Sequence, residues 1–124
     1  MKLLLDTHVF LWWRADSARL KRDLREVIAT ADLVWISAAS AWEVAIKQRL
    51  GKLRIEDSFA SMVEDSKFEG LPITLGHAER AGLLPAHHSD PFDRMLIAQA
   101  LVEGATLVTH DRQFARYDVP VLWV

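Results

Sequence analysis

The stretch K-L-L-L-D-T at Lys2–Thr7 decides the fold. Three consecutive leucines cannot alternate between core and solvent, so the run predicts a strand covered on both faces, as in a parallel sheet. The strand stops on Asp6. In open α/β sheets, ligands bind beyond the carboxyl ends of the strands. Asp6 therefore stands where a site would be, and the rest of the chain is read for acids that reach the same edge.

Further along, Leu33–Ile36, Leu71–Leu75, Thr106–Thr109 and Val121–Val124 predict four more strands. Helical spacing and capping signals predict helices between them. One runs from Thr7 to about Arg14, and one from Ser17 to about Thr30. Others cover about Ser40–Leu50, Asp57 or Ser58 to Phe68, and His77–Leu83. The last two are Phe92–Glu103 and a short one from Asp111 to about Tyr117. Alternating strands and helices give an α/β fold, with a parallel sheet carrying helices on both faces. Asp6, Glu43 and Asp111 then fall at or just past strand ends. Asp93 lies in the first turn of the helix that feeds Thr106–Thr109.

Each acid also has an ordinary role. Asp6 and Asp111 can cap helices. Glu43 can pair with Lys47 one turn on. Asp90-Pro91-Phe92-Asp93 is a helix start in its own right, with Asp90 at the cap and Pro91 in the first turn. The set says more than its members. Carboxylates gathered within a few ångströms repel one another unless a cation is present. All-oxygen donors suit Mg²⁺ or Mn²⁺, whereas the absence of cysteine disfavours zinc. Two such ions can orient a water, lower its pKa and stabilise an in-line displacement at phosphorus.

Composition narrows the classes. The 124 residues are expected to form one domain, 1–124, and 51% hydrophobic content excludes disorder. With no cysteine there is no disulfide scaffold. The longest apolar run, Val9–Trp13, is far too short to span a bilayer, so a soluble, cytoplasmic protein is expected. The net charge of -2 offers no bulk attraction to nucleic acid, but nine Lys/Arg against five Asp/Glu lie between Arg14 and Arg54. Among them, Lys47, Arg49, Lys52 and Arg54 form either a solvated face or a surface for RNA phosphates. His87 and His88 read as a solvated pair in a polar loop. Adjacent Trp12 and Trp13 cannot point one way from a helix, which leaves one for a partner.

Taken together, these stretches resemble the VapC-type toxin ribonucleases of the PIN-domain superfamily, nearly end to end. The carriers are L-L-L-D-T-H at 3–8, S-A-A-S-A-W-E-V-A-I-K at 37–47, L-G-K-L at 50–53, H-S-D-P-F-D-R-M-L-I-A-Q-A at 88–100 and T-H-D-R-Q-F at 109–114. The resemblance implies a three-layer α/β/α sandwich around a mostly parallel sheet of about five strands. It implies an endoribonuclease dependent on Mg²⁺, with Mn²⁺ as an alternative, whose acidic residues are Asp6, Glu43, Asp93 and Asp111. A homodimer inhibited by a small antitoxin is implied as well. Asp90 and Arg94 match recurrent family positions and are expected to support the site, as are Thr7 and Thr109. His8 stands where many relatives carry Asn. The rival readings are a degenerate RNA- or protein-binding module of the same fold, and a receiver-type phosphoryl-transfer domain. The second wants a late lysine, and none follows Lys67.

Overall fold

The computed structural model describes residues 1–124. Five strands, β1 (Lys2–Leu5), β2 (Leu33–Ser37), β3 (Glu69–Leu71), β4 (Thr106–Thr109) and β5 (Val121–Trp123), form one sheet in the order β3-β2-β1-β4-β5. Every pairing is parallel. The sheet is thus wholly rather than mostly parallel. Around it lie α1 (Thr7–Arg14), α2 (Arg22–Thr30), α3 (Ala38–Arg49), α4 (Phe59–Asp65), α5 (Leu75–Leu83) and α6 (Pro91–Glu103). A 3₁₀ turn, Arg112–Arg116, precedes β5.

The triple leucine explains the layering. Leu3 and Leu5 enter one core with Val9, Phe10, Ile28 and Met62, which come from α1, α2 and α4. Leu4, on the opposite face, enters the other core with Leu96, Ile97, Leu107 and Phe114. All three leucines are inaccessible to solvent. That burial is what a period-two backbone requires when both faces are covered.

Several element boundaries differ from the sequence reading. α3 begins at Ala38 rather than about Ser40, α4 ends at Asp65 rather than Phe68, and α5 begins at Leu75 rather than His77. The last short helix is a 3₁₀ turn. Two further differences have a clear local cause. The second helix starts at Arg22, not Ser17, because Ser17 Oγ accepts the Arg19 N–H and closes a local turn. That turn frees Leu20 to fill the first core. The third strand is Glu69–Leu71 instead of Leu71–Leu75. Pro72 has no N–H for a ladder, and Thr74 caps α5 in a reciprocal box with His77. Gly70 lies inside β3.

The order of strands places the site. β1 lies centrally, with β2 and β3 to one side and β4 and β5 to the other. The chain reverses direction across the sheet between β1 and β4. A crevice opens at the carboxyl ends of strands flanking such a reversal. Asp6 follows β1 directly, and Asp111 lies two residues beyond β4.

A candidate carboxylate metal centre

Asp6 is the N-cap of α1. Its Oδ1 accepts the Val9 N–H at 2.8 Å, and its Oδ2 accepts the Thr109 hydroxyl. The capping role and a place at the crevice therefore coincide in one buried carboxyl. Burial raises its pKa above 3.8 against the lowering effect of the Thr109 and Val9 hydrogen bonds and of His8, and Glu43 pushes it up further. Thr109 also accepts the Asp111 N–H at 3.1 Å, so one hydroxyl ties two of the acids to the end of β4.

Glu43 sits on α3, which Ser37 caps at the end of β2. It is buried although it is charged. Thr7 donates to its Oε1 at 2.6 Å and lies 2.9 Å from Ser40 Oγ, while Lys47 pairs with its Oε2 at 2.9 Å. The expected i,i+4 pair is present. It is embedded in the site and does not stand on a solvated face. Arg49, Lys52 and Arg54 are exposed.

Asp90 caps α6, accepting the Phe92 and Asp93 N–H groups at 2.8 and 3.1 Å. Pro91 at the first position needs no partner for a missing N–H. This start fixes Asp93 at the mouth of the crevice. Its pKa is raised from 3.8 to about 7 by burial first and by Asp90 next. His88 opposes the rise, and Asp6 and Glu43 add to it. Asp6 and Glu43 thus lie near enough to Asp93 for their charges to act on it. Asp111 joins it through His88, whose Nε2 lies 2.8 Å from Asp93 Oδ2 and 3.4 Å from Asp111 Oδ2. Ligand atoms of His88, Asp93 and Asp111 all lie within 4.8 Å of one another, a spacing that could hold a metal ion.

His88 corrects the sequence reading of a solvated pair. It is buried, whereas His87 is exposed and packs edge-on against Tyr117. The only signal in the sequence was its place at the head of H-S-D-P-F-D-R. Arg94 touches none of the four acids with a hydrogen bond. Its guanidinium donates to the carbonyls of Ala81 (2.8 Å), Leu84 (3.0 Å), Pro85 (2.8 Å) and His88 (3.4 Å), which fastens the loop that carries His88. Trp12 and Trp13 are half-buried beneath Arg19 and Arg25. The exposed tryptophan is Trp42.

The raised Asp93 pKa carries a stability consequence. Below about pH 4 the proton is held by Asp93 in both the folded and the unfolded chain, so folding suffers no penalty. Between there and about 7 only the folded chain keeps it, so stability falls as pH rises through that window. Asp6, raised in the same sense, adds to the slope. With chelator present, thermal melts are expected to show lower stability at pH 8 than at pH 5. Asp93→Asn is expected to flatten that dependence. Parallel pH profiles for the two proteins would contradict the assignment.

The family model described as the PIN domain matches residues 3–120. Ribonuclease VapC22 of Mycobacterium tuberculosis is 31% identical over 121 residues, covering 95% of this chain and 93% of the relative. Among solved structures, VapBC2 from Rickettsia felis bound to a DNA fragment from its promoter aligns with a TM-score of 0.75 at 18% identity, covering 98% of each chain. A toxin-antitoxin complex from Klebsiella pneumoniae aligns at 0.69 and 20% identity, covering 97% of this chain and 95% of the other. No helix here is long and apolar enough to cross a membrane.

Proposed function

The chain belongs to the PIN-domain family, and on that footing we propose that it is a metal-dependent endoribonuclease, the toxin of a toxin–antitoxin pair, built as one domain over residues 1–124. The observation that supports this most is the close set of ligand atoms on His88, Asp93 and Asp111, all within 4.8 Å of one another, with the Asp93 pKa raised to about 7 by burial and its acidic neighbours. Carboxyls that cannot all ionise together are relieved by a divalent cation. Asp6, Glu43, Asp93 and Asp111 would hold it, and their hard oxygen donors fit Mg²⁺ or Mn²⁺. When bound, the ion supplies charge stabilisation at a scissile phosphate and lowers the pKa of water.

The chain's own groups do the rest. Thr109 and the Val9 N–H fix the Asp6 carboxyl, and Thr7 fixes that of Glu43, so both reach the locus without reorganising. Asp90 sets the angle at which Asp93 enters. The exposed Arg49, Lys52 and Arg54, at and beyond the end of α3, would meet RNA phosphates.

An RNA substrate, a small antitoxin, a homodimer and a cytoplasmic setting complete the reading. A cavity of about 510 Å³ between α3, α4 and the edge strand β3, lined by Ile36, Phe59, Val63, Phe68 and Leu71, offers an apolar seat for an antitoxin segment. Trp42 and Ile46 on α3 and Leu50 at its C-cap are exposed at a spacing of one helical turn, a stripe suited to a partner surface. The test is cleavage of RNA by purified protein with Mg²⁺ or Mn²⁺. Chelator is expected to abolish cleavage, and added metal to restore it. Cleavage that survives chelation, or protein inert under every metal condition, would overturn the proposal.

A further inference from the structure

His88 is the one buried side chain in the molecule with a polar atom that no well-directed hydrogen bond satisfies. Only 7% of the residue is accessible, and its Nε2 is the unsatisfied atom. An unpartnered nitrogen at that depth is costly, so a built environment around it signals a task. The environment is built. The His88 N–H donates to Tyr117 Oη at 2.9 Å, Arg94 holds its carbonyl, and the ring packs edge-on to Phe114 at 6.0 Å. These contacts come from α6 and from the segment after β4, the same two elements that carry Asp93 and Asp111.

The tautomer follows from the backbone. The Asp90 N–H approaches His88 Nδ1 at 3.4 Å and makes that nitrogen the acceptor. The ring hydrogen therefore sits on Nε2. Nε2 lies within ion-pairing distance of both Asp93 Oδ2 and Asp111 Oδ2 without a directed hydrogen bond to either. The hold of Nε2–H on the two carboxylates is therefore that of a positive dipole end beside two acceptors, not of a directed hydrogen bond.

We infer that His88 is a positioning residue: its Nε2–H holds the Asp93 and Asp111 carboxylates as a pair, one at the start of α6 and one beyond β4, in the separation that a divalent ion requires. The inference rests on the metal-centre reading above and assigns His88 a part in it that none of the four acids can play. An acid cannot draw two other acids together. A donor from a loop clamped by Arg94 can, at the same depth, and it leaves their outward oxygens free. Hydrogen-bond partners of ligating carboxylates typically govern about 10- to 100-fold in metal affinity.

The test compares wild type, His88→Asn and His88→Gln. Asparagine can accept the Asp90 N–H as Nδ1 does but is too short to reach the carboxylates. Glutamine extends an amide N–H toward the position of Nε2. Manganese affinity is measured by calorimetry or by the electron paramagnetic resonance of free Mn²⁺, with a thermal melt of each metal-free protein. The expected result is an affinity loss of about 10- to 100-fold for His88→Asn and recovery to near wild type for His88→Gln, at similar melting temperatures. Pulsed resonance of the Mn²⁺ complex is expected to show no directly bonded nitrogen. Unchanged affinity in His88→Asn overturns the inference. So does a ¹⁴N coupling in wild type that both variants lose, which would make the ring a ligand. Wild type that binds no Mn²⁺ at all would instead overturn the metal centre itself.

Discussion

Asp6→Asn is expected to reduce RNA cleavage about a thousandfold, equivalent to about 4 kcal/mol of transition-state stabilisation, while leaving a folded protein. The separation of the two effects follows from the two bonds Asp6 makes. Asparagine is as good an N-cap as aspartate, so the Val9 N–H keeps its acceptor and α1 its start. The Thr109 hydroxyl can turn to accept from the new amide. What disappears is the ionisable carboxyl just past the end of the central strand. A neutral amide oxygen is a weaker partner for a hard divalent ion, and the neighbouring Glu43 and Asp93 do not replace it from their own positions. Because Asp6 is buried with its pKa raised, removal of its charge also relieves a strain on the metal-free fold. Metal-free Asp6→Asn is therefore expected to melt no lower than wild type. Equal RNA cleavage by wild type and a cleanly purified variant, or a collapse of the fold in the variant, would contradict this account.

Arg94→Leu is expected to act in the opposite way, through the fold. Four carbonyl oxygens, those of Ala81, Leu84, Pro85 and His88, accept from one guanidinium. Hydrogen bonds from a charged donor contribute about 1.5–3 kcal/mol each in favourable cases, and the loop is partly solvated, so water recovers some of them. A net loss of about 3 kcal/mol is expected from denaturant unfolding. Arg94→Lys is expected to recover less than half of it, because a single ammonium cannot span carbonyls that a planar fork reaches together. The same substitution loosens the seat of His88, so metal affinity is expected to fall with stability. Wild-type stability in Arg94→Leu would show that the loop holds itself through Tyr117 alone.

Much of this was legible in the order of the residues, for local reasons. A run of three leucines has no period-two alternative to burial on both faces, and Leu3, Leu4 and Leu5 divide between the two cores accordingly. Caps are short-range chemistry, and Asp6, Asp90 and Asp111 each accept a nearby N–H as their residue types foretell, whereas α3 is capped by Ser37 and begins ahead of the expected Ser40. Strand ends and helix starts then carry Asp6, Glu43, Asp93 and Asp111 to one edge with no knowledge of which strand lies beside which. Where local signals competed, as with Ser17 against Lys21 or Gly70 against Pro72, the boundary moved by a few residues.

Other features belong to the tertiary structure alone. The order β3-β2-β1-β4-β5 is a choice among long-range pairings, and it is what opens the crevice between β1 and β4. The depth of His88 is another. No property of H-H-S-D marks the second histidine over the first. His88 is buried because Arg94, Phe114 and Tyr117 close over it from elsewhere in the chain, and His87 stays outside because nothing does. Spacing along the chain could bring the acids to one edge, since backbone geometry sets where a strand ends. The histidine beside two of them depended on side chains from distant segments meeting in space.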